Sequence, residues 1–374
     1  MGDQVTILLA GGGTGGHLYP GISVARAFEK VWPEAKAVFL CTQREIDRVI
    51  LEPAGFEFVA QPIVPPVRTI AGLLRFWKGW RETKDLVKKF LRERSPVAVL
   101  GLGGYAAGVA VKYAAQKGVA AAIVNPDVIP GKANQYLAKY VKAVCCQFDQ
   151  TRRHFGAEHQ PKIRVTGCPI RPEIMHLPGR EEAAGRLGLD PHLLTLVVTG
   201  ASLGAQTVNE AVLAVLGDIN FQGWQMLHLA GREHAGAVSM GYRQKGMAAR
   251  VVDFTPAMAN VWAAADLAIC RAGASSCAEL TACGVPSILM PYPYHKDKHQ
   301  RANAKVLADA GAAVLLDDEK DAKKNAWKLK PVLEPLLRDA EKRAGMAKAA
   351  KGLGKADAAE AVAKVVRELA EGWG

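Results

Sequence analysis

The sequence lacks the cysteine patterns that build zinc-binding or disulfide-rich domains. It has seven cysteines, an odd number, and no two of them have the C-x-x-C spacing. Structural zinc sites and small disulfide frameworks need paired cysteines at short, regular spacings. Unpaired cysteines in a chain of this length are typical of a reducing compartment, so we expect a protein of the cytosol.

Long hydrophobic runs are also missing. The first apolar run, Val5–Ala10, is too short for a signal peptide, and the charge-free stretch 95–111 is interrupted by four glycines. A helix that spans a bilayer needs about 20 consecutive apolar residues. We therefore expect neither a leader peptide nor a membrane-spanning helix.

Several nucleotide-binding signatures are absent. There is no G-x-x-x-x-G-K-[ST] motif, which excludes a P-loop, and no Asp-x-Asp motif suited to a metal–diphosphate bridge. The second apolar run ends Phe39-Leu40-Cys41-Thr42, without the acidic residue that binds the ribose in dinucleotide folds. The Gly-rich turn at 199–205 lacks a downstream Tyr-x-x-x-Lys pair. A nicotinamide-dependent oxidoreductase is thus a poor hypothesis.

The composition that remains is that of a basic globular protein. The chain has 374 residues, 49% of them hydrophobic and 22% charged, which predicts two domains of ordinary size. Lys and Arg outnumber Asp and Glu by 48 to 36, a net charge of +12. Such an excess suits a partner that carries phosphates. Because no nucleic-acid-binding module is recognisable, we expect an anionic lipid or a phosphorylated substrate rather than nucleic acid.

Short apolar runs alternate with helical patterns, and this alternation predicts an α/β fold with parallel sheets. The pattern restarts near residue 193, and both halves open with an apolar strand, a Gly-rich turn and a helix. We predict two doubly wound, Rossmann-like domains, 1–167 and 168–354, which face each other across a cleft. The predicted strands are Val5–Ala10, Ala37–Cys41, Val97–Leu100, Ala120–Val124, Ala143–Gln147, Leu193–Thr199, Met226–Ala230, Val251–Phe254, Leu267–Cys270 and Ser287–Pro291.

The first Gly-rich turn is a candidate anion site. It has five glycines between Gly11 and Gly16, and the helix that follows adds unpaired N–H groups and the positive end of its dipole. His17, at the mouth of this turn, is a candidate general base for an attacking hydroxyl. The alternative is a histidine that caps the helix or bonds to the backbone.

A second candidate site lies at Cys270–Leu280. Here a strand ends, a turn of small residues follows, and we predict a helix that begins near Ser275, whose N-terminus suits a diphosphate. Glu279 lies about one turn further and suits two vicinal hydroxyls, such as those of a ribose. The alternative is a capping box, since Ser276-x-x-Glu279 fits that pattern.

Two further segments carry chemistry. His295, Asp297 and His299 resemble metal ligands, but the lysines beside them disfavour a cation, so we expect contacts to sugar hydroxyls and no metal. Residues 68–94 hold nine basic and three acidic side chains with interleaved aromatics. They predict either an interfacial membrane helix or a helix that packs its apolar face inward. The membrane candidates are Leu73, Leu74, Arg75, Phe76, Trp77, Lys78, Trp80 and Arg81.

Taken together, six motifs resemble glycosyltransferase family 28, the MurG-type enzymes, which add N-acetylglucosamine to the lipid-linked muramyl-peptide precursor of bacterial peptidoglycan. They occur in family order and cover residues 5–316. The motifs are Gly12-Gly13-Thr14-Gly15-Gly16-His17-x-x-Pro20, Gly101-x-Gly103-Gly104-Tyr105, Gly167-x-Pro169-x-Arg171, Gly200-x-Ser202-x-Gly204-Ala205, Arg271-x-Gly273-Ala274-x-x-x-x-Glu279 and Pro291-x-Pro293-x-His295-x-Asp297-x-His299-Gln300-x-x-Asn303.

The resemblance implies a GT-B architecture, with an N-terminal domain on the acceptor and membrane side and a C-terminal donor domain. A C-terminal helix, at about 355–372, would pack back on the first domain. UDP-N-acetylglucosamine is the implied donor and needs no metal or other cofactor. The implied donor-binding residues are Thr14, Gly15, Gly16, Asp127, Arg171, Ser202, Thr255, Ala274, Ser275, Ser276, Glu279 and Gln300, and those near the acceptor diphosphate are Gly13, Gly104 and Tyr105.

The resemblance also implies inversion at the anomeric carbon by a single displacement, with His17 as the base. The implied acceptor is undecaprenyl-diphosphate-linked N-acetylmuramyl-pentapeptide, at the cytoplasmic face of the bacterial inner membrane, where the enzyme would be peripheral. The sequence departs from the family at Val124-Asn125-Pro126-Asp127, where His-Glu-Gln-Asn is common. Two alternatives therefore remain open, a related UDP-sugar transferase with another lipid acceptor and a non-catalytic nucleotide-sugar-binding homologue.

Overall fold

The chain folds into two compact units. The computed structural model describes residues 5–200 and 204–372. The first unit extends to Arg171 and includes the end of the chain from Ala356, and the second unit comprises Pro172–Lys355. The sequence places the division at 167, just before the Cys168–Arg171 segment that the structure assigns to the first unit.

A seven-stranded parallel sheet forms the centre of the first unit within the described residues. Its strand order is β3-β2-β1-β4-β5-β6-β7, and every neighbouring pair is parallel. The strands are β1 Val5–Ala10, β2 Ala35–Thr42, β3 Glu57–Gln61, β4 Ala98–Gly101, β5 Ala120–Asn125, β6 Ala143–Cys146 and β7 Ile163–Val165.

Helices cover both faces of this sheet, as the continuous apolar runs of its central strands predict. Successive residues of β1 face opposite sides: Ile7 and Leu9 pack with one core cluster, and Leu8 and Ala10 pack with the other. The helices are α1 Gly15–Val31, α2 Glu45–Ala54, α3 Ile70–Arg94, α4 Gly104–Gln116 and α5 Lys132–Leu137. The last helix of the chain, α14 Ala358–Glu371, packs on α1 through Val362 and Val366.

The second unit repeats the arrangement with a six-stranded parallel sheet in the order β10-β9-β8-β11-β12-β13, again counted over the described residues. Its strands are β8 Leu194–Thr199, β9 Trp224–Leu229, β10 Ala249–Val252, β11 Leu267–Cys270, β12 Ser287–Leu289 and β13 Ala313–Leu315. Its helices are α6 Arg180–Leu187, α7 Gln206–Val215, α8 Ala235–Gln244, α9 Met258–Ala264, α10 Ala274–Cys283, α11 His299–Asp309, α12 Ala322–Arg338 and α13 Ala340–Leu353.

The strand orders confirm the predicted fold class, two doubly wound parallel-sheet domains. In each sheet the order reverses between the first and fourth strands of the unit, β1 beside β4 and β8 beside β11. Ligands of open α/β sheets bind beyond the carboxyl ends of the strands at such a reversal. The turns that follow β1, β4 and β11 are therefore the places where this fold positions functional groups. None of the described helices combines the length and the apolar character needed to cross a bilayer.

Candidate functional site

His17 lies on the first turn of α1 and is held by the Gly-rich turn before it. Its Nδ1 lies 3.2 Å from the carbonyl oxygen of Gly12 and 3.4 Å from Oγ1 of Thr14. Because a carbonyl oxygen only accepts, a hydrogen bond to Gly12 requires a proton on Nδ1, and in the neutral ring this leaves a lone pair on Nε2. No described residue hydrogen-bonds Nε2. The histidine is bonded to the backbone, as the alternative interpretation proposed, and this bond orients its ring.

The turn is anchored by Asp47, a buried residue of α2 that the sequence analysis did not single out. Its carboxylate accepts the N–H of Gly13 at 2.7 and 2.9 Å, and the N–H and Oγ1–H of Thr42 at 2.7 Å each. A Cβ on Gly12 would lie 2.3 Å from Oδ2 of Asp47, so this position has room only for glycine. Asp47 follows the end of β2 by five residues, and a search for acidic residues beyond the strand end would have found it.

The N-terminus of α4 forms the other wall of this site. A Cβ on Gly104 would lie 2.9 Å from Cε1 of His17, so the imidazole lies directly against the backbone there. Gly104 has φ +70°, a left-handed conformation that favours glycine. Next to it, burial raises the pKa of Tyr105, which keeps its hydroxyl protonated at neutral pH. The structure thus brings the candidate base His17 together with Gly13, Gly104 and Tyr105, the residues that the family resemblance implies near an acceptor diphosphate.

Arg44 adds a positive charge to the same turn. Its Nη1 donates to the carbonyl oxygen of Gly13 at 2.8 Å, on the exposed side of the loop. The N–H of Gly13 is already donated to Asp47, so any anion at this loop would meet the neighbouring groups rather than that N–H. Thr14, which is exposed, precedes α1, and Gly15 and Gly16 form the first residues of the helix.

The segment that departs from the family pattern comprises the last two residues of β5 and the first two of the turn after it. Nδ2 of Asn134, in α5, donates to Oδ1 of Asn125 at 3.0 Å and to the carbonyl oxygen of Val124 at 3.0 Å. Nδ2 of Asn125 in turn donates to the carbonyl oxygen of Asp127 at 2.7 Å. This amide network fixes the turn through which the chain leaves the sheet, and it leaves Asp127 half-buried.

In the second unit, Glu279 is buried within α10 and accepts the indole N–H of Trp262 at 2.8 Å through Oε2. The helix begins at Ala274, with Gly273 as its N-cap and no side-chain cap bond. The capping-box alternative for Ser276 and Glu279 is therefore wrong, because both residues lie inside the helix. The sequence-predicted Ala274, Ser275 and Ser276 form the first turn, where backbone N–H groups point toward the N-terminus.

The remaining donor candidates occupy separate loops. Thr255 lies between β10 and α9, and its Oγ1 accepts the N–H of Ala257 at 3.1 Å. Gln300, the second residue of α11, accepts the N–H of Tyr292 at 2.9 Å. Arg171 belongs to the first unit, where its guanidinium lies 4.5 Å from the ring centroid of Tyr19. Ser202 lies outside the described residues.

A buried ion pair joins the ends of three strands in the second unit. Nη1 of Arg271 donates to Asp318 at 2.7 Å and to the carbonyl oxygen of Met290 at 3.0 Å, and its Nη2 donates to Thr207 at 2.8 Å. Hydrogen bonds from Thr207, Asn325 and Arg271 outweigh burial and lower the pKa of Asp318. Arg271 therefore fixes the turns after β11, β12 and β13, a structural role that its place in the motif did not reveal.

His295, Asp297 and His299 come close together before and at the start of α11. Their nearest ligand atoms all lie within 4.8 Å of one another, and Nδ1 of His299 is 2.7 Å from Oδ1 of Asp297. The two imidazoles stack at 4.3 Å, and Lys296 and Lys298 beside them are exposed. The donor set suits a borderline cation such as Zn²⁺, whereas the lysines oppose one, so the absence of a metal stays a prediction.

Helix α3 carries a mixed surface. Ile70, Leu74 and Trp77 are 82%, 66% and 58% exposed. Phe76 and Trp80 are half-buried instead, because they pack against Ile63, Ala106 and Val109. We call the exposed apolar residues of α3 and of the segment before it the α3 apolar patch: Val64, Val67, Ile70, Leu73, Leu74 and Trp77. The exposed basic residues along the same stretch are Arg68, Arg75, Lys78 and Arg81.

Comparison with known families matches both units. Residues 7–146 match the glycosyltransferase family 28 N-terminal domain, and residues 195–362 match the family's C-terminal domain. A relative from Bacillus licheniformis, named UDP-N-acetylglucosamine--N-acetylmuramyl-(pentapeptide) pyrophosphoryl-undecaprenol N-acetylglucosamine transferase, is 34% identical over 97% of this chain and 98% of its own length. A relative of the same name from Halothermothrix orenii is 33% identical over 98% of this chain and 99% of its own.

Solved structures show the same fold. The crystal structure of Acinetobacter baumannii MurG superposes with a TM-score of 0.76, at 24% identity over 97% of this chain and 99% of that one. A UDP-GlcNAc 2-epimerase from Neisseria meningitidis, bound to UDP-GlcNAc, superposes with a TM-score of 0.69 at 12% identity, over 98% of this chain and 99% of that one. Because transferases and epimerases share this architecture, the fold alone does not identify the reaction.

Proposed function

The chain belongs to glycosyltransferase family 28, and we propose that it transfers N-acetylglucosamine from UDP-N-acetylglucosamine to undecaprenyl-diphosphate-linked N-acetylmuramyl-pentapeptide in peptidoglycan synthesis. The observation that carries this proposal is similarity over nearly the whole chain to relatives that bear this name, at 33–34% identity. Both domains are represented in the match, so the proposal does not depend on one shared module.

The proposed reaction is a single displacement with inversion. The acceptor hydroxyl attacks the anomeric carbon of N-acetylglucosamine, the new glycosidic bond forms as the bond from that carbon to the diphosphate breaks, and UDP leaves. The hydroxyl proton passes to Nε2 of His17. The contact of Nδ1 with Gly12 supports this role, because it leaves the Nε2 lone pair to accept.

The donor is proposed to bind mainly to the second domain. In this proposal the first turn of α10, at Ala274, Ser275 and Ser276, stabilises the charge of the departing UDP through backbone N–H groups. Glu279 accepts hydrogen bonds from the hydroxyls of the ribose, and the indole N–H of Trp262 orients its carboxylate. The further donor contacts that we propose are those of Thr14, Gly15, Gly16, Asp127, Arg171, Ser202, Thr255 and Gln300.

We propose peripheral binding to the cytoplasmic face of the bacterial inner membrane through the α3 apolar patch. Trp77, Leu74 and Ile70 expose apolar surface that would enter the acyl boundary, and the basic residues beside them would meet anionic head groups. This surface would bring the protein to an acceptor whose long lipid tail lies in the membrane. Phe76 and Trp80 instead support the patch from inside the domain.

The test of the proposed function is turnover with defined substrates. The protein is incubated with UDP-N-acetylglucosamine and the lipid-linked muramyl-pentapeptide, and the lipid is analysed by mass spectrometry. We expect a product heavier by one N-acetylglucosamine residue. Donor binding without product would favour the non-catalytic homologue, and product only with another UDP-sugar or lipid would favour a related transferase. The amide network at Asn125 and Asn134 is where a different acceptor preference would arise.

A further inference from the structure

One peptide group joins His17 to Asp47. The carbonyl oxygen of Gly12 and the N–H of Gly13 belong to the same peptide unit, between these two glycines. The oxygen accepts from Nδ1 of His17 at 3.2 Å, and the N–H donates to both carboxylate oxygens of Asp47, at 2.7 and 2.9 Å. The result is a continuous chain of hydrogen bonds from the carboxylate, through the peptide, to the imidazole.

Hydrogen bonds in such a chain strengthen one another. A carboxylate that accepts from a peptide N–H polarises the peptide and pushes electron density toward its carbonyl oxygen, which makes the oxygen a better acceptor. The N–H···O⁻ bond is charge-assisted and thus stronger than a neutral bond. The carboxylate of Asp47 therefore favours the state in which Nδ1 of His17 carries the proton and Nε2 does not.

The surroundings keep Asp47 in this position. The residue is buried with no exposed surface, and Thr42 donates to it twice. The loop has space for the carboxylate because residue 12 has no side chain. Such a polar group is costly to bury unless its partners are fixed, so the loop and the carboxylate hold each other in place.

We propose that Asp47 is a positioning residue for catalysis, which sets the tautomer and orientation of His17 through the Gly12–Gly13 peptide. In this arrangement the peptide takes the place that a direct carboxylate contact has in a Ser-His-Asp triad, where the acid also fixes the tautomer of the base. The inference rests on the proposed function, in which Nε2 of His17 takes the proton of the acceptor hydroxyl.

Other charged and titratable groups meet the same loop. Arg44 binds the carbonyl oxygen of the next peptide, that of Gly13, and not the one that contacts His17. Burial raises the pKa of Tyr105, on α4, so its hydroxyl is neutral at neutral pH. Neither group offers an acceptor to Nδ1 of His17 among the hydrogen bonds of the described residues, so the tautomer depends on Gly12 and, more weakly, on Thr14.

The test uses Asp47→Asn, which keeps the shape of the side chain and removes its charge. In the full-length protein labelled with ¹⁵N-histidine, at alkaline pH, the ring-nitrogen shifts of His17 report which nitrogen carries the proton. We expect the wild-type protein to show the Nδ1–H form and Asp47→Asn to show a larger share of the Nε2–H form. We also expect kcat to fall about tenfold or more, with binding of UDP-N-acetylglucosamine changed less than about twofold.

Thr42→Val is the matched control, because it removes one hydrogen bond to Asp47 and leaves the charge and the bond to Gly13. We expect its His17 tautomer to equal that of the wild type. An unchanged tautomer of His17 in Asp47→Asn would overturn the proposal, whatever the effect on kcat. A purely structural role of Asp47 would lower activity without changing the tautomer.

Two further measurements keep the outcomes distinct. If Asp47→Asn does not fold, the amide chemical shift of Gly13 in the wild-type protein is followed while His17 is titrated. A chemical shift that does not change as the imidazole takes up a proton overturns the coupling. If the tautomer shifts but His17→Gln keeps full turnover, the coupling stands and His17 is not the base. If His17→Gln is inactive but the tautomer in Asp47→Asn is unchanged, the proposed function stands and this inference fails.

Discussion

The indole N–H of Trp262, on α9, donates to Oε2 of Glu279, on α10, at 2.8 Å, and both side chains are buried. This bond joins two neighbouring helices of the second domain and fixes one carboxylate oxygen. A carboxylate has acceptor capacity on both oxygens, so the bond orients the group without exhausting it. A substitution that tests the proposed ribose site must therefore keep this bond to Trp262 and remove only the charge of Glu279.

Glu279→Gln should weaken binding of UDP-N-acetylglucosamine about tenfold while the fold stays intact. The amide keeps an oxygen for the indole of Trp262, but it loses the charge that strengthens hydrogen bonds to ribose hydroxyls. Isothermal titration calorimetry measures the affinity, and the melting temperature checks the fold. Trp262→Phe is the control, because it removes the indole donor and leaves the carboxylate. Equal donor affinity in the wild type and Glu279→Gln would contradict the ribose assignment.

His17→Gln should lower kcat by about 10²- to 10⁴-fold, the usual contribution of a general base. Gln retains a donor for the carbonyl of Gly12 and lacks a basic nitrogen, so the loop should keep its conformation. Donor affinity, measured by calorimetry, should change little. A variant that turns over lipid-linked acceptor at the wild-type rate would show that another group takes the proton.

Trp77→Ser should weaken binding to phosphatidylglycerol vesicles about tenfold without loss of stability, because the ring is exposed and would be buried in the lipid interface. Trp80→Ser should instead lower the free energy of unfolding by about 2 kcal/mol, because this half-buried ring packs against Ile63, Ala106 and Val109. Vesicle sedimentation at low and high salt measures the first effect, and urea denaturation the second. If neither the salt concentration nor Trp77→Ser changes vesicle binding, the result would favour a packed helix without a membrane role.

Removal of divalent cations should leave turnover unchanged, because helix N-termini are proposed to stabilise the leaving UDP. The measurement is the initial rate after dialysis against EDTA, compared with a mock-dialysed sample. A loss of rate that Zn²⁺ or another divalent cation restores would contradict this expectation. It would direct attention to the cluster of His295, Asp297 and His299.

Stability should fall in mild acid because of His228, a fully buried residue of β9. Its ring bonds to Tyr242 and Asn209 at 2.9 Å each, and burial lowers its pKa from 6.5 to about 3. Between these values the unfolded chain binds a proton that the folded chain does not. The lowered pKa of His228 therefore costs no stability above about pH 6.5. As the pH falls below that value, the free energy of unfolding decreases by up to about 1.4 kcal/mol per pH unit.

The comparison with His228→Gln isolates this effect, because acidic residues such as Asp318 also destabilise the fold as they become protonated. Urea midpoints at pH 7.5, 6, 5 and 4 should converge between the two proteins as the pH falls. Parallel curves would show that His228 takes up no additional proton on unfolding.

The central strands of both sheets could be predicted from the sequence because they are buried on both faces and are largely apolar. Val5–Ala10 and Leu267–Cys270 have the predicted bounds, and most of the other predicted strands differ only at their ends. The predicted strand Val251–Phe254 is displaced by two residues from the observed strand Ala249–Val252. The three strands that the sequence analysis missed, Glu57–Gln61, Ile163–Val165 and Ala313–Leu315, all lie at sheet edges. Glu57–Gln61 and Ile163–Val165 are partly exposed and contain polar residues, so neither forms a continuous apolar run, and Ala313–Leu315 is apolar but only three residues long.

The sequence by itself determined the two-domain parallel-sheet fold, the family and the turns that carry its motifs, because glycines and apolar runs act locally along the chain. Tertiary structure alone decided which groups meet. Asp47 reaches Gly13 across 34 positions, and Trp262 reaches Glu279 across 17, between separate helices. A hydrogen bond depends on distance and angle in three dimensions, and strand pairing sets these where spacing along the chain does not.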